Sequence, residues 1–116
     1  MTDVSDPGIE SGHLQELRRG TVVLACLLIL RTPDYGYALL ERLAAAGIAT
    51  DGNTLYPLLR RLEKQELVTS EWNTDEARPR KFYRTSSSGE KLAARLMQDW
   101  SDLTRTLTDI DEGKKK

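Results

Sequence analysis

The sequence predicts a mainly α-helical chain with one small β-hairpin, and three observations carry that prediction. Leu55, Leu58, Leu59 and Leu62 stand at i, i+3, i+4 and i+7, the stripe of a helix that buries one face. Residues 67–72 and 80–85 are rich in β-branched and aromatic side chains and flank the turn-forming run Asn73-Thr74-Asp75-Glu76-Ala77-Arg78-Pro79. From Leu96 onward, Trp100, Leu103, Leu107 and Ile110 follow at spacings of 4, 3, 4 and 3, a heptad seam that Leu92 extends backwards. A helix with a polar front, a basic hairpin beside it and a long seamed helix make a winged helix-turn-helix domain plus a C-terminal dimerisation helix. The divisions expected are a flexible acidic tail over 1–12, the winged domain over 13–85, the dimerisation helix over 86–112 and a basic disordered end over 113–116.

In chain order, Pro7, Gly8 and Gly12 lie among acidic and small residues, which reads as a mobile tail. Residues 14 to about 31 read as a helix that is apolar nearly all round. Leu14, Leu17, Leu24, Leu27 and Leu28 share one side, and Val22, Val23, Ile29 and Leu30 occupy others. So small a domain does not bury such a helix alone, which implies a second subunit against it. Thr32-Pro33-Asp34 stops the helix, residues 36–46 form the next, and Gly47 suits its C′ position. Thr50 and Asn53 are alternative N-caps for the helix that ends near Lys64. Counted from Asn53, Pro57 lies just inside the first turn; counted from Thr50, it lies in the interior and kinks the helix. After the hairpin, Ser87 and Glu90 have capping-box spacing.

Composition narrows the function. The chain has 116 residues, 39% hydrophobic and 30% charged, with net charge −1, so it is an ordinary soluble protein and not a polycation that coats nucleic acid. Its charges are segregated: residues 1–12 carry three acids and no base, and residues 86–112 six acids against three bases. Arg60, Arg61 and Lys64 lie opposite the leucine stripe with Thr54 and Pro57, and Arg78, Arg80, Lys81 and Arg84 interleave with Phe82 and Tyr83. A weakly acidic body with a basic face fits sequence-selective DNA binding better than bulk attraction. On composition alone Arg60, Arg61 and Lys64 read first as a solvated helix face, and Arg78, Arg80 and Lys81 can be read as charges that protect a hairpin edge. The single cysteine, Cys26, and the single histidine, His13, have no neighbours that complete a nucleophile pair or a metal site. No cofactor is expected, and no phosphate loop or nucleophile elbow marks an enzyme. The longest apolar run, Val22 to Leu30, has nine residues where a membrane span needs about 20. A reducing, cytoplasmic location follows.

Three blocks carry a resemblance: Tyr35-Gly36-Tyr37-Ala38-Leu39-Leu40, then residues 53–63 with Thr-Leu-Tyr-Pro-Leu-Leu-Arg-Arg-Leu-Glu, then Arg80-Lys81-Phe82-Tyr83-Arg84 with Ser88-Gly89. Over residues 14 to 110 the chain resembles the PadR family of bacterial transcriptional regulators, in its compact branch with one C-terminal helix. The resemblance implies that the helix lies in the major groove, with Thr54, Pro57 and Arg60 near bases and Tyr56 and Lys64 on phosphates. It turns Arg61 into part of the same face, and Arg78, Arg80 and Lys81 into contacts with flanking phosphates or the minor groove. One departure is Glu66, where the family usually has glycine. It must take a positive φ or end the helix differently, at a cost of about 1 kcal/mol.

Trp100 reads from its seam as dimer packing. The resemblance to multidrug-responsive members adds a second role, stacking on flat aromatic ligands at the dimer centre, with Leu96, Leu103 and Thr104 on the same face and Val22 and Val23 completing a pocket. The whole then reads as a homodimeric repressor on an inverted-repeat operator in double-stranded DNA, released by a small planar aromatic or hydrophobic effector. The alternatives are a winged-helix regulator with no effector and a winged-helix module that binds another protein.

Overall fold

The computed structural model describes residues 6–75 and 77–113. Its elements run α1 (Pro7–Ile29), β1 (Asp34–Tyr35), α2 (Gly36–Ala45), α3 (Gly52–Lys64), β2 (Val68–Asn73), β3 (Arg80–Thr85) and α4 (Ser87–Asp111). The strands form an antiparallel sheet in the order β1-β3-β2. This is the expected mainly helical winged fold with one strand more than the hairpin. The helix stop at Thr32-Pro33-Asp34 leads into a two-residue strand in which Tyr35 pairs with Phe82.

Three helix starts differ from expectation, each for a local reason. The mobile tail expected over residues 1–12 is corrected for residues 7–12, which are helical. Asp6 caps α1 by accepting the N–H groups of Gly8 at 2.8 Å and Ile9 at 3.3 Å, and Pro7 occupies the first turn, where its missing N–H costs nothing. Residues 1–5 lie outside those described, as do residues 114–116 of the expected basic end. The cap of α3 is neither Thr50 nor Asn53 but Asp51, whose Oδ1 accepts the Thr54 N–H at 2.9 Å. Pro57 therefore lies in the helix interior, and the Asn53 carbonyl receives no N–H from position 57. Ser86, not Ser87, caps α4, because its hydroxyl accepts the Gly89 N–H at 3.0 Å while donating to the Glu66 carbonyl at 2.7 Å.

Helices α2 and α3 end in the same way. After α2, Gly47 at φ 90° lets the Ile48 N–H reach the Leu43 carbonyl at 2.8 Å and its own N–H reach Ala44 at 3.0 Å. After α3, the Leu67 N–H bonds Leu62 and the Glu66 N–H bonds Glu63, both at 2.9 Å. These are two Schellman turns. The second is built on a non-glycine residue, since Glu66 takes φ 60°, the strained solution of the two anticipated.

The core gathers Leu24, Ala25, Cys26, Leu27 and Leu30 of α1 and its end, Leu39 and Leu43 of α2, and the α3 stripe Leu55, Leu58, Leu59 and Leu62. Val68, Tyr83 and Ala93 close it. Thr85, buried, donates its hydroxyl to the Leu27 carbonyl at 2.6 Å, and its N–H bonds Leu30 at 2.9 Å, so the end of β3 is fastened to the end of α1. Arg42 bridges Asp34 at 3.2 Å and the Ile29 carbonyl at 3.3 Å, which holds α2 to the same corner. Residues 7–20 of α1 and most of α4 beyond Leu96 are exposed. Among the described residues, no helix is long and apolar enough to cross a membrane.

Gly89 packs so closely that a Cβ there would collide with the Leu67 carbonyl oxygen. Gly89→Ala is expected to destabilise the fold by about 1–3 kcal/mol or more. Glu66→Gly should stabilise it by up to about 1 kcal/mol; urea unfolding of the two variants checks both signs. Burial pushes the Cys26 thiol from 9.0 up to about 12. The folded chain thus keeps a proton that the unfolded chain releases in that window. This group leaves stability unchanged below pH 9 and removes about 1.4 kcal/mol per pH unit as the pH rises toward 12. Cys26→Ala should flatten the alkaline limb of a stability–pH curve by that slope, leaving the contribution of Tyr83, which burial also raises.

Candidate nucleic-acid interface

At 100° per residue, α3 divides cleanly once its leucines face the core. Pro57, Arg60 and Lys64 lie along the outermost line, all exposed, and Asn53 lies on it too. From sequence Asn53 reads only as a possible helix cap and not as part of this face, although its i, i+4, i+7, i+11 spacing with Pro57, Arg60 and Lys64 marks it. Thr54 and Arg61, also exposed, occupy one flank of this line. Tyr56 and Glu63 occupy the other. Arg61 and Lys64 in the last turn also offset the negative end of the helix dipole.

Tyr56, 37% exposed, has a role that the sequence does not reveal. Its ring lies between the starts of two helices: a Cβ on Gly36 would come within 2.6 Å of its Cε1, and one on Gly52 within 3.1 Å of its Cε2. The two glycines make room for the ring, and the ring fixes the angle between α2 and α3. Only the part of Tyr56 that remains exposed is open to a phosphate.

The wing does not present its cations as one edge. Strand residues alternate between faces, so Arg80 and Lys81 point to opposite sides of the sheet. On one side, Tyr35 stacks on Phe82 with centroids 4.1 Å apart, the Arg80 guanidinium sits 4.8 Å from the Tyr35 ring centroid, and Asn73 donates to the Tyr35 hydroxyl at 3.1 Å. On the other, Lys81 pairs with Glu63 at 3.4 Å and stands 5.6 Å over the ring of Tyr83. Glu63 also accepts a hydrogen bond from the Ser70 hydroxyl. Burial raises the Tyr83 phenol above its usual value, with Lys81 opposing and Glu63 reinforcing the shift. Arg78 lies exposed in the turn. Trp72, opposite Lys81 in the β2/β3 register, is 65% exposed.

The residues grouped as a ligand pocket also separate. Val22, Val23 and Leu96 are half-buried and pack against the core. Trp100 is 55% exposed, Leu103 and Thr104 are exposed, and the Thr104 hydroxyl donates to the Trp100 carbonyl at 2.9 Å. A single chain gives the Trp100 indole no enclosure. Among the described residues no group of three or more His, Cys, Asp or Glu is placed to hold a metal ion.

The family model for the Transcriptional regulator PadR-like family matches residues 23–95. A PadR family transcriptional regulator from Eggerthella lenta is 45% identical, covering 90% of this chain and 94% of that one, with a TM-score of 0.87. A PadR-like transcription factor from Bacteroides fragilis is 30% identical over 85% of this chain and 98% of its own, with a TM-score of 0.71. A Streptococcus transcriptional regulator is 29% identical over 82% and 96%, with a TM-score of 0.74. No curated relative matches the chain. With well over half of its residues inside the family pattern and a solved relative alike along nearly its whole length, the chain belongs to the PadR-like family of transcriptional regulators, which are not enzymes.

Proposed function

We propose that the protein is a homodimeric, sequence-specific DNA-binding repressor that lays α3 in the major groove and the wing against flanking backbone. The observation that carries this reading is the exposed line Asn53, Pro57, Arg60 and Lys64 on α3 with a cation-bearing hairpin fastened beside it. Thr54, Pro57 and Arg60 reach base edges, and Tyr56, Arg61 and Lys64 reach phosphates. Arg78, Arg80 and Lys81 extend the contact outward from the wing.

Dimerisation through α1 and α4, with residues 86–112 as the principal helix, is supported by the apolar side chains those helices leave in water. Ile9, Leu14 and Leu17 of α1 and Met97, Trp100, Leu103, Leu107 and Ile110 of α4 are all exposed. Large apolar stripes of this kind mark an interface. Two-fold symmetry then calls for an inverted-repeat operator with half-sites about 10–10.5 bp apart or a small multiple of that. A small flat aromatic effector between the subunits stacks on Trp100 against Val22, Val23, Leu96, Leu103 and Thr104. By preferring one subunit spacing, it draws the population away from the DNA-bound form. Such a regulator works in the cytoplasm.

Footprinting on the upstream intergenic DNA should show a dyad-symmetric site; protection without dyad symmetry refutes the architecture. Arg60→Ala should weaken operator binding by about 1–3 kcal/mol. Replacing Arg78, Arg80 and Lys81 together should reduce the slope of log K against log salt by up to about 0.9 for each lost phosphate contact. An unchanged slope assigns those cations to edge protection. Planar aromatic cations should quench Trp100 fluorescence and lower operator affinity together. A Trp100→Ala protein that stays dimeric and keeps its ligand affinity removes the pocket.

A further inference from the structure

We propose that Glu63 is a positioning residue that sets the wing on the recognition helix, and so decides where Lys81 stands against DNA. The part concerning DNA rests on the reading just given; the part concerning the wing does not.

Glu63 lies in the last turn of α3 and uses its two carboxylate oxygens on two different strands. Oε2 accepts the hydroxyl of Ser70 on β2, and Oε1 meets the ammonium of Lys81 on β3 at 3.4 Å. An isolated surface ion pair is worth little, and the side chains of Glu63 and Lys81 are each about one-third exposed, 34% and 32%. What distinguishes this carboxylate is that its contacts span the hairpin, tying both strands to one point on the helix. It does so three residues before Glu66, whose strained backbone makes the only covalent turn from α3 into the wing.

The charge is also in an unfavourable place unless it serves a purpose. A carboxylate on the flank of a helix that approaches phosphates repels them, and a neutral side chain there would bind any duplex more tightly. An ammonium carries three donors on a flexible stem, so Lys81 can give one to Glu63 and keep others for a phosphate. Held in this way, Lys81 meets the backbone at one distance from the bases that α3 reads. Released, it follows whatever phosphate is near, and binding continues without discrimination.

The test compares the wild-type protein, Glu63→Ala, Lys81→Met and the double variant, with Ser70→Ala as a milder cut of the same contact should Glu63→Ala fold poorly. In the DNA-free protein, nitrogen-15 relaxation of the β2 and β3 amides should show a wing more mobile than α3 in Glu63→Ala. On the footprinted operator and a scrambled duplex, Glu63→Ala should lower the affinity ratio roughly tenfold while scrambled-duplex affinity holds or rises. In the Lys81→Met background, removing Glu63 should change the ratio by much less, because the effect passes through Lys81. A wing as rigid without Glu63 as with it overturns the proposal. So does a parallel fall in operator and scrambled binding, or full additivity of the two substitutions. If the wild-type protein shows no operator preference, the DNA-binding reading fails, and the relaxation data alone decide whether Glu63 sets the wing.

Discussion

The junction between the end of α3 and the start of α4 is the constraint on which the rest of the structure depends. Glu66 and Leu67 leave the helix with their carbonyls pointing at Ser86, which takes the first with its hydroxyl and the second with its N–H, the latter at 3.0 Å. Gly89 permits this approach, since any side chain there would occupy the space of the Leu67 carbonyl. A helix end, a strand start, a strand end and a second helix start are thereby joined through four residues. Helix α3 and the long C-terminal helix are separated by the whole hairpin in sequence, yet they are anchored to one another directly. Any change in the tilt of α4 is therefore felt at the end of α3 without passing through the wing.

How much of this was legible in the sequence depends on the range of the interaction concerned. The leucine stripe of α3, both hairpin strands and the turn at Gly47 are local patterns, each readable from neighbouring residues, whereas the strained alternative at Glu66 was raised only by the family resemblance, which implies glycine there. The caps were not readable from their neighbours. Thr50-Asp51-Gly52-Asn53 and Ser86-Ser87-Ser88 each offer several competent side chains in a row. Distant contacts, such as the Glu66 carbonyl above Ser86, are what select among them. Strand β1 is two residues long and exists because Phe82 and Tyr83 offer it an edge, so nothing in its own sequence announces it.

The candidate interface was legible in part for the same reason. Arg60, Arg61 and Lys64 follow from helical spacing, whereas grouping Arg80 with Lys81 overlooked the strand alternation that sends them to opposite sides of the sheet. Tyr56 and Glu63 depend on partners far along the chain. Gly36 lies 20 residues before Tyr56, and Lys81 lies 18 residues after Glu63. Both side chains work inward and outward at once, holding the helix in place while lying beside the face that it presents.

The sealed position of Cys26 bears on which chemical signals this regulator can sense. Its thiol is fully buried at the centre of the core and held protonated far above neutral pH. Peroxides and electrophiles act on exposed thiolates, so the folded chain is blind to them at its one cysteine. An alkylating reagent can reach that sulfur only when the core opens, which makes its rate of modification a clock for opening of the fold rather than a measure of redox state.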